Sequence, residues 1–308
     1  MTVDGQEVEV SNEDKVFFPG SGITKGDLLD HSRRSAQYLL PHVRGRLVSM
    51  ERFPDGIEED GFFQKDVPDH FPDWIRTEEV EKEGGRLRQL VIEDAPTLAY
   101  IVNQGCITPH VWLSRVDRLQ HPDRMVFDLD PAGNDPTATF PDVRWAARRL
   151  RALLEELGLV PFVMTSGSRG LHVHVPLDRE ADFDRVRGFA KDAADLLVSR
   201  HPERLTREQR KAERGDRVFL DVMRNAYGQT AVAPYAVRAR EGAPVATPLE
   251  WDELGRSGMH PRRYDVGNLF QRLSRKEDPW KEMERRGRGL GGPSRKLERI
   301  RKEEAPES

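Results

Sequence analysis

Asp128 and Asp130, separated by Leu129, close the apolar run Met125-Val126-Phe127, and Pro131 stops it. Apolar, β-compatible residues that end at a proline read as a strand entering a loop. Side chains alternate along a strand, so the two aspartates share one face, roughly 6.5 Å apart along the chain. Two carboxylates at that spacing repel by about 3 kcal/mol at an effective dielectric near 20. A positive charge between or above them relieves this, and a divalent cation with oxygen ligands is the obvious candidate. The competing reading is a turn in which the aspartates cap backbone amides. Asp221 stands alone in a second apolar run, Val218-Phe219-Leu220-Asp221-Val222-Met223, where an uncompensated carboxylate is costly to bury. Three convergent carboxylates form a cradle for two hard cations.

Around these aspartates lie residues suited to phosphate. Ser166-Gly167-Ser168-Arg169-Gly170 is small and flexible, so its backbone amides can form an anion nest beside the Arg169 guanidinium. It precedes a strand pattern and lacks Gly-Lys-Ser/Thr, so it is not a Walker loop. Arg238 and Arg240, two apart, can face one side and clamp further phosphate oxygens. Acidic cradle, nest and arginine clamp together indicate phosphoryl or nucleotidyl transfer. Two other readings stay open: a metal phosphoesterase with His172 and His174 as ligands, and an aspartyl-phosphate enzyme in which an aspartate attacks phosphorus. His110 is a lone histidine, by default structural.

The elements that must position these groups follow from periodicity. Thr24 reads as the N-cap of a helix through Leu28, Leu29, Ser32, Ala36, Leu39 and Leu40, with Lys25 in its first turn. Lys25 there can join the backbone amides in gripping a phosphate, and Lys15 sits in a similar short setting; both also read as solvated lysines. Arg46 to Arg52 is a strand, and Gly61 to Lys65 pairs with it. Phe62 and Phe63 point to opposite sides, so one can enter the core while the other, beside Arg52 and Lys65, forms a base-stacking platform; burial of both is the competing reading. Residues 68–90 read as charged and irregular, with Glu83 to Arg86 a turn or loop. Phe140 to Leu157 and about Asp184 to Val198 are amphipathic helices, and Arg217 to Asn225 is a strand. The section from His201 to Arg217 is almost entirely polar. The strands around two helices indicate α+β, or α/β in two lobes, with much irregular connection.

Bulk properties limit the choices. The 308 residues have length for a sizeable core, hydrophobic content is 37% and charged content 33%, which indicates a water-exposed, heavily charged surface. No apolar run reaches membrane-spanning length, and the start is acidic rather than signal-like. Cys106 is the only cysteine, which excludes an internal disulfide and a cysteine-rich zinc cluster and fits a cytoplasmic setting. Residues 281–308 hold nine Lys/Arg and six Asp/Glu, a net of +3, so residues 1–280 carry −7 of the total −4. Binding to a polyanion must then use a local basic groove.

The ordered motifs Gly-Ile-Thr-Lys-Gly-Asp, Arg-Phe-Pro-Asp-Gly-Ile, Phe-Phe-Gln-Lys, Phe-Asp-Leu-Asp-Pro, Thr-Ser-Gly-Ser-Arg-Gly-Leu-His-Val, Phe-Leu-Asp-Val-Met-Arg-Asn and Tyr-Ala-Val-Arg-Ala-Arg carry a resemblance. From about residue 10 to 280 the chain resembles the polymerase domain of bacterial ligase D, in the archaeo-eukaryotic primase superfamily. The resemblance implies a primase-polymerase fold, a central mixed β-sheet core flanked by helices, in a catalytic domain spanning 1–280. Its N-terminal lobe, about 1–120, would pack on a catalytic lobe of about 121–280, and 281–308 would be a flexible, net basic tail, either DNA-touching or simply solvated. It implies a template-directed DNA/RNA polymerase at gaps or broken ends, with ribonucleotides preferred and two divalent ions, Mn2+ or Mg2+. A vestigial, end-binding scaffold is the non-enzyme alternative.

By position, the resemblance makes Asp128, Asp130 and Asp221 the catalytic metal triad. His110, Ser166, Arg169, Gly170, His172, Arg238 and Arg240 fall where the family holds the incoming NTP or dNTP, with Arg52 and Lys65 nearby. Lys15 and Lys25 match the lysines that recognise a DNA 5′-phosphate, and Phe62 or Phe63 the residue stacking at the gap. Two departures stand out: Arg169 replaces a common lysine, and Met164 stands where lysine is frequent. No Lys-x-Asp-Gly ligase signature occurs, so the expectation is a stand-alone, actinobacterial-type paralogue, nucleoid-associated, with Ku and a separate DNA ligase as partners.

Overall fold

The computed structural model describes residues 1–82, 84–133, 135 and 137–304. The chain divides into two compact units. One comprises residues 1–117, 230–247 and 262–278; the other comprises 118–229, 248–261 and 279–308. The chain therefore crosses between units several times, unlike the expected single boundary near residue 120.

In the second unit a six-stranded sheet runs in the order Leu205–Thr206, Val218–Asp221, Arg124–Asp130, Leu171–Pro176, Phe162–Thr165, Pro248–Leu249. The first pair is parallel and the others antiparallel, which makes the sheet mixed. Arg124–Asp130 lies inside it, and Met125, Val126, Phe127 and Leu129 are all fully buried. Helix Phe140–Glu156 buries Val143, Ala146, Ala147, Leu150 and Leu154 along one side, the stripe that its apolar spacing predicts. Helix Phe183–Arg200 starts at Asp182, whose carboxylate accepts from the Arg185 amide at 2.9 Å. A mixed sheet with helices packed against it is the α+β architecture expected.

The first unit holds an antiparallel sheet ordered Thr230–Val232, Cys106–Trp112, Arg46–Arg52, Gly85–Ile92, Thr77–Lys82, with Phe62–Gln64 also paired to Arg46–Arg52. Helix Lys25–Val43 begins at a capping box: Thr24 Oγ1 accepts from the Asp27 amide and Asp27 accepts from the Thr24 amide.

Three sequence readings need correction. Residues 77–82 and 85–92 are paired antiparallel strands rather than irregular, with Val80 buried and Leu90, Val91 and Ile92 buried on both faces where the second strand joins the larger sheet; Glu83 lies outside the described residues. The strand read through Asn225 ends at Asp221, after which Met223–Asn225 turns as a 3-10 helix. Residues 281–304 are not a flexible tail. Helix Gly291–Glu303 buries Pro293, Leu297 and Ile300, and Met283 and Leu290 are buried before it. Its basic residues sit on the remaining faces, so charge content masked an amphipathic helix.

Candidate functional site

The aspartates converge through strand register. Asp128 stands directly opposite Asp221, and Asp130 opposite Phe219, in adjacent antiparallel strands. Directly opposed residues place their side chains on one face, Cβ atoms about 4.5–5.5 Å apart. Asp128, Asp130 and Asp221 therefore share a face, as strand alternation requires for the first two. On the other neighbour His172 is opposite Asp128, and its Nε2 lies 3.3 Å from Asp128 Oδ1. Asp221 Oδ1 accepts from the Met223 amide at 2.7 Å, which orients that carboxylate.

Electrostatics fit a cation here. Burial, reinforced by the charge of Asp128, pushes the Asp130 carboxyl up to about 6, while His172, Arg169 and Arg214 act in the opposite direction. The strand pair thus holds carboxylates that cost energy to ionise together, all hard oxygen donors. Among the described residues no three His, Cys, Asp or Glu side chains already stand at metal-holding positions. The fit to a divalent ion rests on this donor set and its shared face.

The glycine-serine loop departs from an open nest. Ser166 Oγ accepts from the amides of Ser168 (3.2 Å), Arg169 (3.2 Å) and Gly170 (3.0 Å), so the loop closes on its own hydroxyl. Its amides do converge on one point, but Ser166 occupies that point. Arg169 donates to the Gly133 carbonyl. Beside it is a cleft of about 470 Å³ lined by Asp130, Arg169, Lys211 and Arg214, among others. Arg214 also stacks 3.7 Å over the Phe219 ring and donates to the carbonyls of Glu208 and Gln209. Lys211 and Arg214 escaped the sequence reading; the run of cations before the Asp221 strand was the available signal.

In the first unit, His110, Phe63 and Arg238 gather around Glu51, while Arg52, the next residue of the strand, faces the other side with Phe62. His110 Nε2 lies 3.2 Å from Glu51 Oε2, and the Phe63 ring meets His110 edge-on at 5.2 Å. Burial raises the Glu51 pKa, but the His110 hydrogen bond and the charges of His110 and Arg238 outweigh it, so the carboxyl lies below its ordinary value. Glu51, like Lys211 and Arg214, is a residue that the sequence reading missed. Arg52 donates to the Gln104 carbonyl at 2.7 Å and to Gln64 at 2.5 Å, with its Cζ 5.4 Å from the Phe62 ring. Phe62 and Phe63 are 47% and 59% exposed; neither enters the core, because their strand is an edge with no layer over it. Lys65 is also exposed.

Arg238 and Arg240 do not lie on a strand. Their segment is a tight turn in which the Arg238 amide donates to Pro244 O and the Ala243 amide to Arg240 O, with positive φ at Tyr235, Gly242 and Ala243. Spacing two therefore does not put them on one face. Arg238 is half-buried and Arg240 exposed.

Lys15 and Lys25 are brought together: the Lys25 amide donates to Lys15 O at 2.8 Å, where Val16–Phe18 pairs with Ile23–Thr24. Lys25 is only 5% exposed and its Nζ donates to Ser11 O at 2.6 Å. Burial, with the Lys15 charge second, lowers its pKa. Lys15 is more open and pairs with Asp55 at 2.5 Å.

Comparison with known proteins gives one family. The model for the LigD primase-polymerase domain matches residues 24–280. The multifunctional non-homologous end joining protein LigD of Mycobacterium bovis is 33% identical over 286 residues, 87% of this chain and 37% of that protein. The LigD of Pseudomonas aeruginosa is 35% identical over 275 residues, covering 89% of this chain and 32% of its own length. The chain thus spans about a third of these relatives. Among solved structures, the polymerase domain of Mycobacterium tuberculosis ligase D in complex with DNA superposes with a TM-score of 0.85 at 31% identity, covering 92% of this chain and 99% of that one.

Proposed function

We propose, for a chain that belongs to the LigD primase-polymerase domain family, template-directed addition of nucleotides to primer 3′ ends at DNA gaps or double-strand breaks. The observation that carries it is the register of Asp128 against Asp221, with Asp130 on the same face. This cradle suits two divalent ions, manganese or magnesium, held by Asp128, Asp130 and Asp221. Ions bound there would lower the pKa of the primer 3′-hydroxyl and offset charge developing on the triphosphate.

The chain's own groups supply the rest. Arg169, Lys211 and Arg214 give the cleft beside Asp130 a cationic wall for triphosphate or leaving pyrophosphate. Ser166 and Gly170 hold the loop that carries Arg169. His172 fixes the Asp128 carboxylate from the neighbouring strand. In the first unit, Arg52, His110, Arg238 and Arg240 are donors for the nucleotide, with Lys65 beside them, and the exposed Phe62 and Phe63 stack on a base. Lys15 and Lys25 recognise the 5′-phosphate across a gap. Ribonucleotides are the preferred substrates, and Ku and a separate ligase the partners in end joining.

Extension of a primer in a 5′-phosphorylated gap, with ribo- or deoxynucleotides and manganese or magnesium, tests this reading. Incorporation that Asp128→Ala and Asp221→Ala abolish, with gap binding retained, is the expected result. Synthesis surviving in either variant overturns the assignment. Primer shortening would point instead to the phosphoesterase, and binding without turnover to the scaffold.

A further inference from the structure

The strand pair that opposes Asp128 and Asp221 is very short. Val218–Asp221 pairs with Arg124–Asp130 only at Asp128, Leu129 and Asp130. Beyond Asp221 the chain leaves the sheet and turns through Met223–Asn225. Two residues before Asp128, the backbone of Val126 is thus left without a strand on this side, in the fully buried interior.

A side chain takes the missing strand's place. Asn225 Oδ1 accepts from the Val126 amide at 2.8 Å, and Asn225 Nδ2 donates to the Val126 carbonyl at 2.7 Å. These reciprocal bonds reproduce the pattern of a hydrogen-bonded antiparallel pair, with the carboxamide acting as a peptide unit. Nδ2 makes a second donation, to the Val222 carbonyl at 2.9 Å. The orientation is unambiguous, because a flipped amide would set its oxygen against two carbonyl oxygens. Asn225 is 0% exposed, so no water substitutes for it. One amide therefore grips the strand just before Asp128 and the residue just after Asp221. Between them, the Met223 amide of the same turn holds the Asp221 carboxylate.

We propose that Asn225 is a positioning residue: it locks Asp221 in register with Asp128 and so sets the spacing of the two carboxylates toward a divalent cation. The inference rests on the reading of Asp128, Asp130 and Asp221 as a metal cradle. Among residues that orient metal ligands, such changes weaken metal binding by about 10–100-fold.

The test is manganese binding by electron paramagnetic resonance, without nucleotide or DNA, together with thermal melting. It compares the intact chain with Asn225→Ala, Asn225→Ser, Asp128→Asn and Leu196→Ala. Leu196, on the buried face of helix Phe183–Arg200, belongs to none of the strands that carry the carboxylates and controls for general loss of stability. The expected result is manganese affinity weakened about tenfold or more in both Asn225 variants, with Leu196→Ala within twofold of the intact chain. In gap extension the same variants should need more manganese for half-maximal rate and recover rate when it is supplied. Unchanged manganese affinity in the Asn225 variants, or an equal loss in Leu196→Ala, overturns the proposal. So does failure of both Asn225 variants to fold, since the amide then belongs to the fold alone. If the intact chain binds manganese no better than Asp128→Asn, it is the cradle reading that fails.

Discussion

Gly170 meets the carbonyl of Leu129, the residue between Asp128 and Asp130, so closely that a Cβ on residue 170 would lie 1.9 Å from that oxygen. The glycine-serine loop and the Asp-Leu-Asp strand are thereby in direct backbone contact, which Leu171 extends by pairing with Leu129. Gly170 is needed here for close approach, whatever its part in binding a nucleotide.

Gly170→Ala should therefore push the loop off the strand, at a cost of at least about 1–3 kcal/mol, and reduce extension through displaced Asp130 and Arg169. Gly188→Ala is the contrast. A Cβ at this position in helix Phe183–Arg200 would meet nothing within 4 Å, so the change should leave activity intact and raise stability by up to about 1 kcal/mol. Urea unfolding and gap extension on both variants check the pair of outcomes.

Asp130 gives the metal-free protein a pH signature. Its carboxyl rises from 3.8 to about 6 on folding, by burial first and by Asp128 second. The folded state holds this proton more tightly than the unfolded state, so the group's contribution to stability falls as pH rises from about 4 through 6. A divalent cation competes with that proton. Melting temperatures should therefore gain more from manganese at about pH 7.5 than at about pH 5, and Asp130→Asn should remove the difference.

His31 produces the opposite slope. Burial, the dominant cause, lowers its pKa from 6.5 to about 4. The unfolded chain binds the proton more readily, so stability is fully present above pH 6.5 and is lost as pH falls toward 4, by up to about 3 kcal/mol. His31→Leu, placed against Phe270, should flatten this acid limb in pH-dependent denaturation. An unchanged limb would remove His31 as its source.

Lys15 and Lys25 should share recognition of a 5′-phosphate unequally. Lys15→Ala removes an accessible cation whose exposed pair with Asp55 contributes little. Lys25→Ala also removes a buried stem and the bond to Ser11 O. Both should reduce the preference for 5′-phosphate over 5′-hydroxyl ends, and each lost contact should lower the salt slope of binding by about 0.7–0.9. Only Lys25→Ala should also lower the melting temperature. Fluorescence binding across a salt series, beside thermal melts, separates the two.

What the sequence by itself determined was local. The Asp-Leu-Asp spacing put two carboxylates on one face because strand side chains alternate, and apolar periodicity located the helices at Phe140–Glu156 and Phe183–Arg200. Thr24 marked a helix start, since an N-cap is set by the residues beside it, and the structure completes it as a capping box with Asp27. The resemblance in ordered motifs identified the family. Tertiary structure decided whatever depends on partners distant in sequence. Register brought Asp221 to Asp128, and only the folded turn revealed that Asn225 grips Val126 across 99 positions. Arg238 and Arg240 do not share a strand face as their spacing suggested, because the chain turns at them, the Arg240 amide donating to the Arg238 carbonyl and the Ala243 amide to the Arg240 carbonyl. The supposed tail became a helix because three apolar residues find a core that composition does not display. Charge and spacing report what a residue can do; packing and register settle which residue stands beside it.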